Sequence, residues 1–140
     1  MLVDLERIPQ VALTFVNEDH REEGRLLNDL GAAVRAHRDG KASVEAILHR
    51  FEELFVHTRE HFGREEAAMQ RVSFPPYFMH KAEHDRVLEE LEEEGEHFRE
   101  TGDTARLWRY VSEAVPAWFL AHIQSMDHVT AAFVAEREGG

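Results

Sequence analysis

The chain has 140 residues, 43% of them hydrophobic and 31% charged, which suits one domain with a real core and is too apolar for a disordered chain. Its 28 acidic residues outnumber 16 basic ones, and the resulting net charge of −12 repels a nucleic-acid backbone. The absence of cysteine excludes disulfides, thiolate metal sites and a cysteine nucleophile.

The first ten residues, MLVDLERIPQ, carry neither the basic nor the apolar region of a secretion signal, and no apolar run approaches the ~20 residues of a membrane span. The expectation is a cytoplasmic protein without membrane insertion. Residues 1–16 read as an N-terminal arm. A first helix is predicted from Asn17, a suitable N-cap, to the break at Asp39-Gly40. A second starts near Ser43 and stops before Phe74-Pro75-Pro76; a third starts at those prolines and ends near Thr101-Gly102. Asp103 or Thr104 can cap a fourth that continues to about Glu136, with 137–140 as a tail.

Connections this short favour antiparallel neighbours. The predicted fold is therefore all-α, an up-down-up-down antiparallel four-helix bundle over 17–136. No strand-like alternation or internal repeat competes with it. Pro116 falls inside the fourth segment and must kink or split it, because it removes a backbone donor and clashes with the preceding turn. The run EELEEEGEHFRE reads as a solvated helix end.

The polar residues on the apolar stripes carry the chemistry. With 10 histidines, about 0.7 pairs four residues apart arise by chance, so His57/His61 and His80/His84 say little alone. Their faces say more. The second stripe reads Ile47, Phe51, Leu54, His61, Glu65, Val72, and the third Tyr77, His80, His84, Val87, Leu91, Phe98. The fourth reads Leu107, Val111, Val115, Trp118, His122, Ile123, Met126, Phe133, and on the first His20 leads into Leu27, Leu30 and Val34.

A buried Glu is costly unless it is paired or binds a metal. Four helices that each send imidazole inward, with Glu65 among them, need a shared partner, and a metal in the bundle core supplies one. Imidazole and carboxylate without thiolate suit iron, zinc, manganese or copper, and five imidazoles exceed what one zinc takes. A ferritin-like site would want two Glu-x-x-His pairs on different helices, whereas the chain has one, Glu94…His97.

In sequence order these residues stand in NEDHREE (His20), HFGREE (His61, Glu65), HKAEH (His80, His84) and HIQSMD (His122, Asp127). This ordered set resembles the hemerythrins, most closely the single-domain bacterial ones, over roughly residues 12–135. The resemblance implies a centre of two non-haem iron ions with a bridging oxygen. His80, His84 and His122 would hold one iron, His20 and His61 the other, and Glu65 and Asp127 both. Those donors fill about eleven of the roughly twelve positions of two octahedral irons, leaving one open for dioxygen on the iron with fewer histidines. Asp127, five residues after His122, needs a local helix distortion to face the same way. His57 is expected to pack or hydrogen-bond beside the site, and Glu66 to face solvent.

The implied function is reversible dioxygen binding for carriage, storage or delivery, by a monomer. The pocket residues expected from the pattern, Leu27, Leu30, Phe62, Trp118, Phe119 and Ile123, include no placed proton donor. The same irons could instead serve a peroxidase or nitric oxide-reducing enzyme, or a stand-alone oxygen or redox sensor.

Overall fold

A computed structural model describes residues 1–138. Its helices are α1 (Thr14–Arg38), α2 (Val44–Arg71), α3 (Tyr77–Thr101) and a fourth rod, α4, covering 104–138. Residue pairs set their directions. On α1 and α2, Asp19 meets Arg64 and Glu23 meets Thr58; on α3 and α4, Glu94 meets Arg106 and Glu83 meets Trp118. In each pair one number rises as the other falls, so neighbours run antiparallel and the bundle is up-down-up-down.

The boundaries follow local chemistry. Ser43 accepts a hydrogen bond from the Ala46 amide at 3.2 Å and opens α2; Asp103 accepts from the Arg106 amide at 3.0 Å and opens α4. Gly102 ends α3 at φ 69°, a left-handed cap that a side chain would strain. Between them these residues turn the chain within three positions.

Two boundaries differ from the expectation. The first helix starts at Thr14, and Asn17 lies inside it. The Asn17 side chain does not cap; it accepts from the Val11 amide and donates to the Val11 carbonyl, at 2.8 and 2.9 Å, pinning the chain that leads into the helix. The arm holds a short 3-10 turn, Leu5–Arg7, and is docked: Val3 and Ile8 are buried against α1. At the other end α4 runs to Glu138, so part of the expected 137–140 tail is helical and residues 139–140 lie outside the described residues.

The α4 rod is not uniform. It passes through Thr104–Arg109, a π turn at Tyr110–Ala114, Val115–His122, a second π turn at Ile123–Asp127, and His128–Glu138. Pro116 follows the first π turn, where the wider turn accommodates its missing donor and its ring, so the rod is split in hydrogen-bond pattern rather than ended. The core is one cluster, from Val3 and Leu26 on one side through Leu54, Phe62 and Leu91 to Val111 and Ile123. No helix among the described residues is long and apolar enough to cross a membrane.

Candidate metal centre

All seven residues singled out in the sequence are buried, none more than 6% exposed. His20 comes from α1, His61 and Glu65 from α2, His80 and His84 from α3, and His122 and Asp127 from α4. Their donor atoms form two groups, His80/His84/His122/Asp127 and His20/His61/Glu65/Asp127, each with its donors within 4.8 Å of one another.

Asp127 belongs to both groups, and Glu65 reaches from one toward the other. Asp127 places Oδ1 3.1 Å from His80 Nε2 and 3.0 Å from His122 Nε2, and Oδ2 2.8 Å from His20 Nε2. Glu65 places Oε2 2.8 Å from His61 Nε2 and Oε1 3.9 Å from His80 Nε2. The local distortion that Asp127 requires is present: residues five apart stack on the π turn Ile123–Asp127, so His122 and Asp127 face the same layer.

Three of the outward nitrogens are held too, whereas the buried Nδ1 of His20 has no partner among the described residues. The Nδ1 of His61 donates to Asp19 Oδ2 at 3.1 Å, and that carboxylate is gripped by the Arg64 guanidinium at 2.8 and 2.9 Å. The Nδ1 of His84 donates to Glu66 Oε2 at 2.9 Å, and the Nδ1 of His80 shares a hydrogen bond of 2.8 Å with the Thr130 hydroxyl. Such bonds hold each ring with Nε2 facing the centre, where a metal would take its lone pair in place of a proton. Glu66 is thus not the solvated residue expected from its position. It lies on the α2 flank that α3 covers, with a side chain only 17% exposed. Asp19, Glu66 and Thr130 were missed because their roles depend on which helix packs alongside, which spacing along one helix does not reveal.

His57 is beside the centre, not in it. Its Nε2 lies 3.0 Å from the Asp19 carbonyl oxygen and its ring stacks on His61 at 6.2 Å. Apolar rings close the inner layer. Phe62 stacks on His84 at 3.8 Å, Trp118 on His122 at 4.5 Å, and Phe119 meets His20 edge-on at 5.8 Å. Trp118 keeps its orientation by donating its indole N–H to Glu83 at 2.7 Å. Pro116 therefore leaves Trp118 and His122 on the inner face.

Burial and like charge govern the protons. Burial, then the neighbouring Asp127 carboxylate, pushes Glu65 up to about 8. Burial lowers His84 to about 4 despite Glu66, leaving a neutral imidazole. Burial opposes charge on Asp127 as well, but hydrogen bonds from His122, His20 and His80 outweigh it and hold that carboxyl well below the usual range. His61 is raised well above the usual imidazole range, because Asp19 and Glu65 outweigh its burial.

The donor set fits a pair of metal ions. His84 Nε2 and Glu65 Oε2 are buried without a hydrogen-bond partner, although Glu65 Oε2 lies close to His61 Nε2. Close but misaligned donors are what two ligands aimed at a common third point produce. Nitrogen and oxygen donors without sulfur suit first-row metals such as iron.

Comparison with known proteins agrees with this geometry. The hemerythrin HHE cation binding domain matches residues 11–134. A bacteriohemerythrin of Aquifex aeolicus (strain VF5) is 30% identical over 131 residues, covering 94% of this chain and 96% of that protein. A bacteriohemerythrin of Ralstonia nicotianae (strain ATCC BAA-1114 / GMI1000) is 35% identical over 112 residues, covering 80% of this chain and 74% of that protein.

Proposed function

The chain belongs to the hemerythrin family, and on that premise we propose that it holds two non-haem irons with a bridging oxygen and binds dioxygen reversibly. His80, His84 and His122 hold one iron, His20 and His61 the other, and Glu65 and Asp127 reach both. The observation that carries this reading is the division of Asp127, one oxygen turned to each group of imidazoles. A single-metal site would give that carboxylate no reason to face two ways. Two irons supply the electrons that reversible dioxygen binding draws on.

The protein's own contribution is exclusion and orientation. Phe62, Trp118 and Phe119 pack directly on three of the histidines, limiting the water that would otherwise reach the centre. Asp19, Glu66 and Thr130 hold the imidazoles of His61, His84 and His80 in place. One chain provides every donor, which supports a monomer as the working unit.

The test is an optical spectrum of the iron-loaded protein, reduced without air and then exposed to oxygen, with iron counted per chain. Two irons and a visible charge-transfer band that vanishes when oxygen is removed are expected. Direct oxidation without such a band, or steady consumption of peroxide or nitric oxide, would replace carriage by enzymatic turnover. One iron or none would overturn the seven-residue assignment.

A further inference from the structure

The chain has two tryptophans, and their nearest charged neighbours are opposite in sign. Trp118 donates its indole N–H to a Glu83 oxygen at 2.7 Å, and a carboxylate there stabilises positive charge on the ring. Arg86 holds the same carboxylate at 2.6 and 3.0 Å and offsets part of that charge, but the bond to the indole is made by the carboxylate. Trp108 has the Arg35 guanidinium over its ring, 6.0 Å from the centroid, where it opposes positive charge. Loss of one electron leaves an indole positively charged, so Trp118 gives one up more readily than Trp108.

Trp118 is also the tryptophan that meets the centre. Its ring lies within 19° of parallel to the His122 imidazole, 4.5 Å between centroids, so the two π-systems are in direct contact. His122 is buried and Trp118 only half-buried, so this stack leads from a residue of the centre to the surface. Phe62 and Phe119 also pack on histidines of the centre, but both are buried, and a phenyl ring yields no electron under conditions that oxidise indole. The 14 positions from Trp108 to His122 put that second indole about 20 Å away along the helix.

We propose that Trp118 is a redox-active residue, passing single electrons from a small reductant at the surface, across its stack on His122, to the centre. The role rests on the di-iron reading above and goes beyond it, because reversible oxygen binding draws no electron from the protein. With both irons already ferric, hydrogen peroxide has to take its two electrons from elsewhere. Its O–O bond breaks, two electrons arrive one at a time by way of Trp118, two protons join, and two waters form. The net charge of −12 opposes the approach of anions, so the reductant it suits is a neutral organic one such as hydroquinone. Hydroquinone gives up two electrons and two protons and becomes the quinone, which balances the step.

The first arm of the test needs no iron. Photogenerated tris(bipyridine)ruthenium(III), a one-electron oxidant, should place the indole radical on Trp118 rather than Trp108 by about tenfold or more. The visible absorption of that radical should largely disappear in Trp118→Phe and persist in Trp108→Phe. Glu83→Gln keeps an acceptor for the indole but not the charge, and should bring the two sites closer to parity. An equal division in the unaltered chain, or one that favours Trp108, would overturn the proposal. In the second arm, one equivalent of hydrogen peroxide is added to the iron-loaded, oxidised protein. An indole radical should appear by electron paramagnetic resonance, and added hydroquinone should be consumed one for one with the peroxide. Trp118→Phe keeps an aromatic ring against His122, yet should abolish the radical and slow hydroquinone oxidation on the order of 10-fold per bound iron pair. A radical and rate unchanged in that variant, or peroxide that leaves the oxidised protein inert, also overturns it. Failure to bind two irons would sink the functional reading and leave the first arm to decide whether Trp118 is the electron donor of the chain.

Discussion

Asp127 Oδ2 lies 2.8 Å from His20 Nε2, joining the C-terminal part of the last helix to the start of the first across 107 positions of chain. The opposite oxygen of the same carboxylate faces His80 and His122. An amide in its place keeps the shape but presents only one oxygen and no charge. Asp127→Asn is expected to bind one iron or fewer per chain, with helical content retained. Iron analysis alongside circular dichroism checks this, and two irons in a folded variant would end the bridging role.

Much of this arrangement was legible from spacing. Burial on one stripe identified His61, Glu65, His80, His84 and His122, because a 3.6-residue period leaves little choice of direction. Asp127 was not legible from that rule, since five residues fall off the stripe; only the family pattern placed it, and the π turn explains how. Glu23 stands three residues after His20 on the same inward face, a spacing that marks its burial but not Thr58, its partner on α2. Glu66 was misread because the periodicity of α2 cannot say that α3 covers that flank. Asn17 was misread because a good cap residue can equally tie down a preceding strand of chain.

The outer carboxylates should tune metal affinity without supplying a ligand. Asp19→Asn and Glu66→Gln each keep shape and remove the charge that orients an imidazole, so metal affinity should fall about 10- to 100-fold while saturating stoichiometry holds. Arg64→Ala should cost less, because its side chain is 44% exposed and its pairing with Asp19 is screened. Competition titrations against a chelator give the ranking. An Arg64 effect larger than that of Asp19 would contradict it.

The arm is predicted to be part of the folded unit. The Asn28 side chain accepts from the Leu2 and Val3 amides and donates to the Val3 carbonyl, all at 2.8 Å. Asn28→Ala leaves those backbone groups without their partner and should cost about 1–3 kcal/mol in denaturant unfolding. The variant should also be cut within its first ten residues by a protease that spares the unaltered chain. Equal stability and equal resistance would mean that the arm adds nothing.

Metal binding should expel protons, and the sign follows from Glu65. Its carboxyl in the metal-free fold is raised to about 8 from an ordinary 4.5, chiefly by burial and then by Asp127. The folded state therefore holds a proton that the unfolded chain releases, so this group's contribution to stability declines as pH rises from 4.5 toward 8. A metal ion replaces that proton. His61, also raised, must give one up to present its lone pair. Ferrous iron added without air near neutral pH should release between about one and two protons per chain. Its affinity should weaken roughly tenfold per displaced proton for each pH unit below the raised values. A pH indicator in weak buffer reads the release directly. Glu65→Gln should remove one proton from the count in whatever iron it still binds. Iron uptake without proton release, equally tight at pH values on both sides of neutrality, would show that the metal-free centre does not hold the protons its burial predicts.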